Sequence, residues 1–571
     1  MAKRLAPAKR LVLAAAATFL LASPALAARG TDGTVNILYW QAPSILNPYL
    51  SGGIKDVEAS SLVLEPLAGF DEKGKLFPRL AQDIPTVENG GVSKDLKSIT
   101  WKLKPGLKWS DGTPVTAKDV VFTAKYCMDP QGGCAQLSHF EGVDKVEAVD
   151  DLTVKITFKQ QMPVPYGPFV SAQSPILQEK QFADCLGAKA PTCTTANFNP
   201  IGTGPFVVTQ FKPNDVIEMK ANANYRDPDK PRFANVNFKG GGSALAAARA
   251  VLQTGEYDYA WNLQLAPKVL KGMEKEGKGK VLVGFGTLVE RLMMNLTDAS
   301  PNLPADTRST AKAPNPYLSD VRVRKALSLA IDRATLNKIG YGFMGRATCD
   351  WIPAPENFAA HATSCLKQDM DGAKKLLDEA GWKPGPDGIR VKDGKRLKLV
   401  FQSSTNAVRQ QFQAIIKQWW HEIGVDAELK NINASVFFGG DPGSPDTFQK
   451  FYADVEMYAN NFNGTDPAPY VAQYTCDKAP RPATQWQGQN IVRYCNKDYD
   501  KLVLELGHTA DYEKRGEIIK KLDTMLTMDS YSIVPLVWRG RTSAISNTLG
   551  GDIMNTWDSE MWNAQDWYRK K

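Results

Sequence analysis

The chain has 571 residues, 69 Lys and Arg against 61 Asp and Glu, a formal charge of +8 at neutral pH, and 43% hydrophobic residues. That length exceeds what one hydrophobic core supports, so two or three domains are expected. So weak a charge balance makes no case for nucleic acid or an anionic membrane surface as a partner.

Residues 1–27 read as a secretion signal. Lys3, Arg4, Lys9 and Arg10 form a basic start, residues 11–22 an apolar core, and Ala25-Leu26-Ala27 a cleavage site. About a dozen apolar residues are too few to span hydrocarbon. No cysteine follows the cleavage site, so lipid anchoring is not expected. The reading is a protein exported to the periplasm and cut after Ala27.

Residues 34–41 read as a strand. In 101–122, Ile99, Trp101 and Leu103 alternate with polar neighbours, Pro105-Gly106 and Asp111-Gly112 supply turn dihedrals, and Thr116 with Asp119 caps a helix. Residues 146–158 form a hairpin pattern turning at Asp150-Asp151. Gly240-Gly-Gly-Ser243 opens a helix; it lacks the Gly-Lys-Ser/Thr of a phosphate-binding loop, so a capped helix after a strand is expected. Residues 291–296 read as a strand, 299–316 as a surface insertion, and 320–333 as a helix with Val323, Ala326, Leu327 and Ala330 on one face. A second helical stripe over 371–382 stops at Gly381, and a third from Phe412 through Trp420 stops at Gly424.

The eight cysteines fall in four neighbouring pairs, Cys127/Cys134, Cys185/Cys193, Cys349/Cys365 and Cys476/Cys495, each closing a loop of under about twenty residues. In an oxidising compartment this spacing predicts four local disulfides. A metal site would need C-x-x-C or interleaved histidines, and the four histidines are scattered.

Four segments occur in an order that carries a resemblance. They are W-x-L-x-P-G-x-x-W-S-D-G-x-P-x-T-A-x-D-V from Trp101, P-I-G-T-G-P-F from Pro200, V-R-x-A-L-S-x-A-I-D-R from Val323, and the helix over 371–382. Together they resemble the family 5 extracellular solute-binding proteins, the dipeptide-, oligopeptide- and nickel-binding receptors of ABC importers. The resemblance implies an α/β periplasmic binding protein fold of two lobes, one enlarged by an extra α/β subdomain. The expected division is 28–70, 197–285 and 530–571 for lobe I, 71–196 for the small domain, and 286–529 for lobe II. It also implies a monomer that encloses ligand between its lobes and presents it to an inner-membrane permease. No cofactor is expected.

The same resemblance implies ligand contacts from Tyr39, Trp40 and Gln41 after the first strand, from Trp261 and Asn262, and from Asn461, Phe462 and Asn463. In peptide-binding relatives an aspartate four residues before the proline matching Pro467 pairs with the ligand's ammonium, and here Asn463 holds that place. An amide cannot neutralise a buried ammonium. A peptide-like solute remains the first expectation, with an oligosaccharide or opine as the alternative; nickel is disfavoured because no histidine lies nearby. A secreted hydrolase is the alternative of another class. Neither a G-x-S-x-G elbow nor an H-E-x-x-H helix occurs in the sequence, so no enzyme activity is expected.

Overall fold

The computed structural model describes residues 28–571. The secretion signal expected over 1–27 lies outside the described residues.

Two mixed sheets organise the molecule. The first has seven strands in the order Gly279–Gly284, Arg541–Ser546, Tyr259–Ala260, Thr34–Tyr39, Asn235–Gly240, Val216–Ala221 and Phe206–Lys212. At its centre Thr34–Tyr39 runs parallel to both neighbours. The second has six strands in the order Gly345–Ala347, Ile533–Arg539, Val289–Met294, Val455–Asn460, Lys398–Ser404 and Asp426–Ile432. Here Lys398–Ser404 is parallel to both neighbours. Parallel strands need crossover connections, which is why each sheet is covered by helices and its central strands are buried.

A smaller antiparallel sheet, Ser98–Lys102, Thr153–Phe158 and Val143–Ala148, packs with the helix Ala117–Met128 around Trp101 and Trp109. The helix starts where the sequence places it. The Thr116 N–H donates to Asp119 Oδ2 at 2.9 Å, and Asp119 Oδ1 accepts from the Glu179 N–H at 3.0 Å. One carboxylate thus caps a helix and anchors a neighbouring segment.

The helical stripes also fold as expected. Phe412, Ile416 and Trp420 of Ala407–Glu422 are buried in the core of the second sheet. Gly381 and Gly424 end their helices at φ +87° and +85°, backbone that side-chain-bearing residues adopt only with strain. Ser243 caps Ala244–Leu252 by accepting from the Ala246 N–H at 3.2 Å. The helix expected over 320–333 divides into Val321–Leu329 and Arg333–Gly340. Asp332 causes the division, because its side chain accepts from the Thr335 N–H at 3.0 Å and so begins a new helix.

The chain passes between the large sheets twice, through 285–288 and through Gly540. The segment expected to belong wholly to lobe I, 530–571, is therefore split. Ile533–Arg539 pairs with Val289–Met294 in the second sheet, and only from Arg541 does the chain join the first. The two passages lie side by side, with the Arg539 N–H donating to Leu288 O at 3.0 Å.

The cysteine sulfurs lie at bonding distance as Cys127–Cys134, Cys185–Cys193, Cys349–Cys365 and Cys476–Cys495. Replacing both Cys476 and Cys495 by serine opens a loop of 19 residues. It is expected to lower stability by about 3 kcal/mol in the chain-entropy model. Urea unfolding measures the loss, and non-reducing peptide mapping checks the pairing; a cross-link between distant cysteines contradicts it.

Candidate ligand-binding cleft

The carboxyl ends of the parallel strands from both sheets converge on one cleft, the usual position for ligand sites in open α/β sheets. Thr34–Tyr39 leads to Gln41, Tyr259–Ala260 to Trp261 and Asn262, Lys398–Ser404 to Arg409, and Val455–Asn460 to Asn461. All five side chains line the cleft, so residues of both sheets form its walls.

Of the residues expected from the sequence, Gln41, Trp261, Asn262 and Asn461 come together here. Tyr39 and Trp40 stand behind the wall. The Tyr39 ring stacks on Trp261 with centroids 4.6 Å apart, and Trp40 Nε1 donates to Asn262 O at 2.8 Å. Phe462 is also support. Its N–H and C=O both engage the Thr287 hydroxyl, at 3.2 and 2.8 Å, tying the strand end to the passage between lobes. Asn463 does not reach the cleft and lines a separate cavity instead. Asp466 accepts from the Ala468 N–H at 2.8 Å, the turn-capping role its place before Pro467 suggests, and also pairs with Arg515.

The cleft wall carries four cationic side chains, Lys55, Arg409, Arg539 and Arg541, against one carboxylate, Glu560. None of these was singled out from sequence. Arg409 sits in the first turn of its helix, where Asn406 caps by accepting its N–H at 3.1 Å. The one available signal was W-R-G-R-T at 538–542, two charges flanking a glycine inside apolar strand sequence.

Behind the wall, buried Glu290 binds two of these cations. Arg409 Nε donates to Glu290 Oε1 at 2.7 Å, Tyr341 OH donates to Oε2 at 2.9 Å, and Arg539 Nε lies 3.5 Å from Oε2. Burial would raise the Glu290 pKa, but the Arg409 and Arg539 charges outweigh it and hold the carboxyl below its usual range. A register irregularity between Glu290 and Arg291 interrupts the ladder to Ile533–Arg539 at this point. Bulges of this kind re-aim side chains beside functional sites.

Asn262 joins the lobes directly. Its Nδ2 donates to Gln41 Oε1 at 2.6 Å, while its Oδ1 accepts from both Nη atoms of Arg539 at 3.2 Å. It holds φ +56°, which asparagine tolerates better than most side chains. Two polar atoms of the wall, Tyr458 OH and Asn461 Oδ1, are buried with no hydrogen-bond partner among the described residues. Groups left in this state are costly, and a polar ligand would satisfy them.

Glu58 supports Arg541, accepting from Nη1 at 3.0 Å. Burial and neighbouring Glu560 push its carboxyl up to about 7 despite Arg541. A raised folded-state pKa contributes stability that is fully present below the unfolded value near 4.3 and is lost as pH rises through about 7. Glu58→Gln removes that dependence. The stability of the wild type relative to the variant is expected to fall between pH 4 and 7, read as melting temperatures of both across the range. Parallel profiles would contradict it.

The space in the cleft open to water-sized spheres is about 40 Å³, against roughly 300–1,000 Å³ for sites that hold drug-sized ligands. The walls therefore stand too close for a peptide to enter unless the lobes part. Two lobes, a double passage between them and a cleft at the strand ends define a binding protein whose ligand site lies between the lobes.

The chain belongs to the bacterial extracellular solute-binding proteins, family 5. The family profile, described as "Bacterial extracellular solute-binding proteins, family 5 Middle", matches residues 75–480. Membership makes it a solute-binding protein rather than an enzyme. Protein XP55 of Streptomyces lividans is 30% identical over 407 residues, covering 70% of this chain and 67% of that one. The glutathione-binding protein GsiB of Escherichia coli K12 is 25% identical over 551 residues, 95% of each chain. The oligopeptide-binding protein AppA of Bacillus subtilis, solved with a nonapeptide, superposes with a TM-score of 0.79 at 20% identity, covering 95% of this chain and 100% of that one.

Proposed function

We propose that the chain is a monomeric periplasmic receptor that captures a peptide-like solute between its lobes and delivers it to an ABC-type import permease. Its leader is cleaved after Ala27. Lobe I comprises 28–70, 197–285 and 541–571, the small domain 71–196, and lobe II 286–539. The observation that carries this reading is the cleft wall, where Gln41, Asn262 and Asn461 set amide groups beside four cationic side chains. Amides complement a peptide backbone, and guanidinium forks complement carboxylates. A glutathione-binding relative and a peptide-bound structural neighbour agree with that chemistry. An opine, which combines amine and carboxylates in one small molecule, fits the same wall and is the second reading; a neutral oligosaccharide makes less use of the guanidiniums, whose free N–H groups favour a carboxylate.

Titration calorimetry with glutathione and with trialanine tests this, paired with solution scattering. At least one is expected to bind saturably, one per chain, to reduce the radius of gyration and to be recovered unchanged. Ligand turnover, or binding of an opine with neither peptide bound, would overturn it.

A further inference from the structure

Arg291 follows Glu290 on Val289–Met294, and alternation along the strand sends it to the opposite face of the second sheet. Glu290 meets Tyr341 and Arg409 on one face, and Arg291 meets Tyr470 and Tyr474 on the other. Arg291 is fully buried and forms no ion pair among the described residues. In this it differs from every cation of the cleft wall. Lys55 pairs with Asp56, Arg409 and Arg539 with Glu290, and Arg541 with Glu58. A guanidinium cannot shed its proton in a protein, and burying one without an anion is costly. The rings of Trp351, Tyr458 and Tyr470, with centroids 5.3–6.0 Å from its Cζ, offset part of that cost.

The groups around Arg291 are donors in search of an acceptor. Tyr470 OH accepts from Arg291 and from Trp351 Nε1, and Tyr474 OH accepts from Arg291 at 3.2 Å. The hydrogens of both phenols are left without an acceptor among the described residues. Tyr458 lies directly across the strand pair from Arg291, and neither its OH nor Arg291 Nε has a hydrogen-bond partner. Arginine offers donors only, so towards it the Tyr458 oxygen can act only as an acceptor, and its hydrogen stays free. Of these residues Tyr458 is the one that lines the cleft. Burial raises the Tyr458 phenol above its usual range although Arg291 opposes the rise, so the hydroxyl is protonated at neutral pH.

We propose that Tyr458 is the residue through which the cleft recognises a ligand carboxylate, and that Arg291 is its positioning residue. The inference deepens the reading of the cleft as the ligand site and rests on that reading for its occupant. The carboxylate accepts the Tyr458 hydrogen while the guanidinium behind the ring supplies the missing counter-charge. In a water-poor interior that charge acts across the ring with little screening. A neutral amide in the same place makes the hydrogen bond but leaves Arg291 uncompensated.

The probes are acetate and its neutral twin acetamide, both too small to bridge the lobes. 3-Fluorotyrosine incorporated through the full chain gives fluorine resonances, and the one missing from Tyr458→Phe belongs to residue 458. At fixed ionic strength that resonance is expected to shift saturably with acetate, and with acetamide only at concentrations about tenfold higher or more. Arg291→Met should weaken the acetate response about tenfold, and Arg291→Lys, which keeps the charge, should restore most of it. Melting curves check folding; where Arg291→Met does not fold, the two probes on the wild type decide. No saturable shift, equal response to both probes, an unchanged response in folded Arg291→Met, or a folded Arg291→Lys no better than methionine would each overturn the proposal. Such a failure with glutathione or trialanine still bound in calorimetry leaves the reading of the cleft standing.

Discussion

Glu290→Gln is expected to destabilise the protein by about 3–5 kcal/mol, the usual cost of removing one partner from a buried charge pair. The glutamine keeps a carbonyl oxygen for Tyr341 but loses the charge between Arg409 and Arg539. Those guanidiniums, 2% and 4% exposed, would face each other as buried like charges. Replacing Glu290 and Arg409 together by methionine should cost less than the two single losses added, because both singles lose the same ion pair and only Arg539 is then left without its anion. Urea unfolding followed by tryptophan fluorescence reads both. A Glu290→Gln loss below about 1 kcal/mol would show that the pair carries little of the stability. The lowered Glu290 pKa also has a sign: its stabilisation is present above about pH 4.3 and disappears as pH falls through the folded-state value.

Asn262 is expected to control binding rather than folding. Asn262→Gly keeps the φ of +56° accessible but removes the acceptor for Arg539 and the donor to Gln41. Losing a hydrogen bond to a charged group costs about 1.5–3 kcal/mol, or roughly ten- to a hundredfold in affinity. Asn262→Ala loses the same bonds and adds about 1–2 kcal/mol of left-handed backbone strain, a folding cost present with and without ligand, so its affinity should match that of the glycine variant while its stability is lower. Calorimetric affinity for whichever peptide binds should fall alike in both variants, and only alanine should lower the melting temperature further, which separates the two effects. Equal affinities across the three proteins would remove Asn262 from the binding machinery.

Local chemistry was legible in the sequence where neighbours in the chain decide it. Thr116 with Asp119, the helix-ending Gly381 and Gly424, and the four close cysteine pairs all act within about twenty residues. The cleft was legible only in part, because its wall is assembled from distant strands: Arg541 meets Glu58 across 483 positions. Arg409, Arg539 and Lys55 look like solvated charges until the sheets bury them. Glu290 sits in a strand whose six residues are all buried, an environment that no local pattern announces for an acid. Asn463 shows a different limit. Counting back from Pro467 places it beside the ligand, but the strand ends at Asn460 and Gly464 turns the backbone at φ +80°. Past that point strand alternation no longer says which way a side chain points.

The double passage between the sheets also sets how contact and motion are distributed. If the lobes turn about 285–288 and Gly540, displacement grows with distance from that line, as along a door from its hinge post. Arg539 and Arg541 flank the pivot and move least, as does Asn262, which is bonded to Arg539. Asn461 lies near the same line, because Asn460 pairs with Val289 and Phe462 bonds Thr287; Phe448, which reaches the cleft from beyond the Tyr458 ring, stands further out and sweeps a longer arc. A ligand's first hold on entry and last hold on departure then lie at the post, where charge is read. The outer wall then acts as the latch: its aromatic contacts close last and set the lifetime of the complex more than the rate at which it forms.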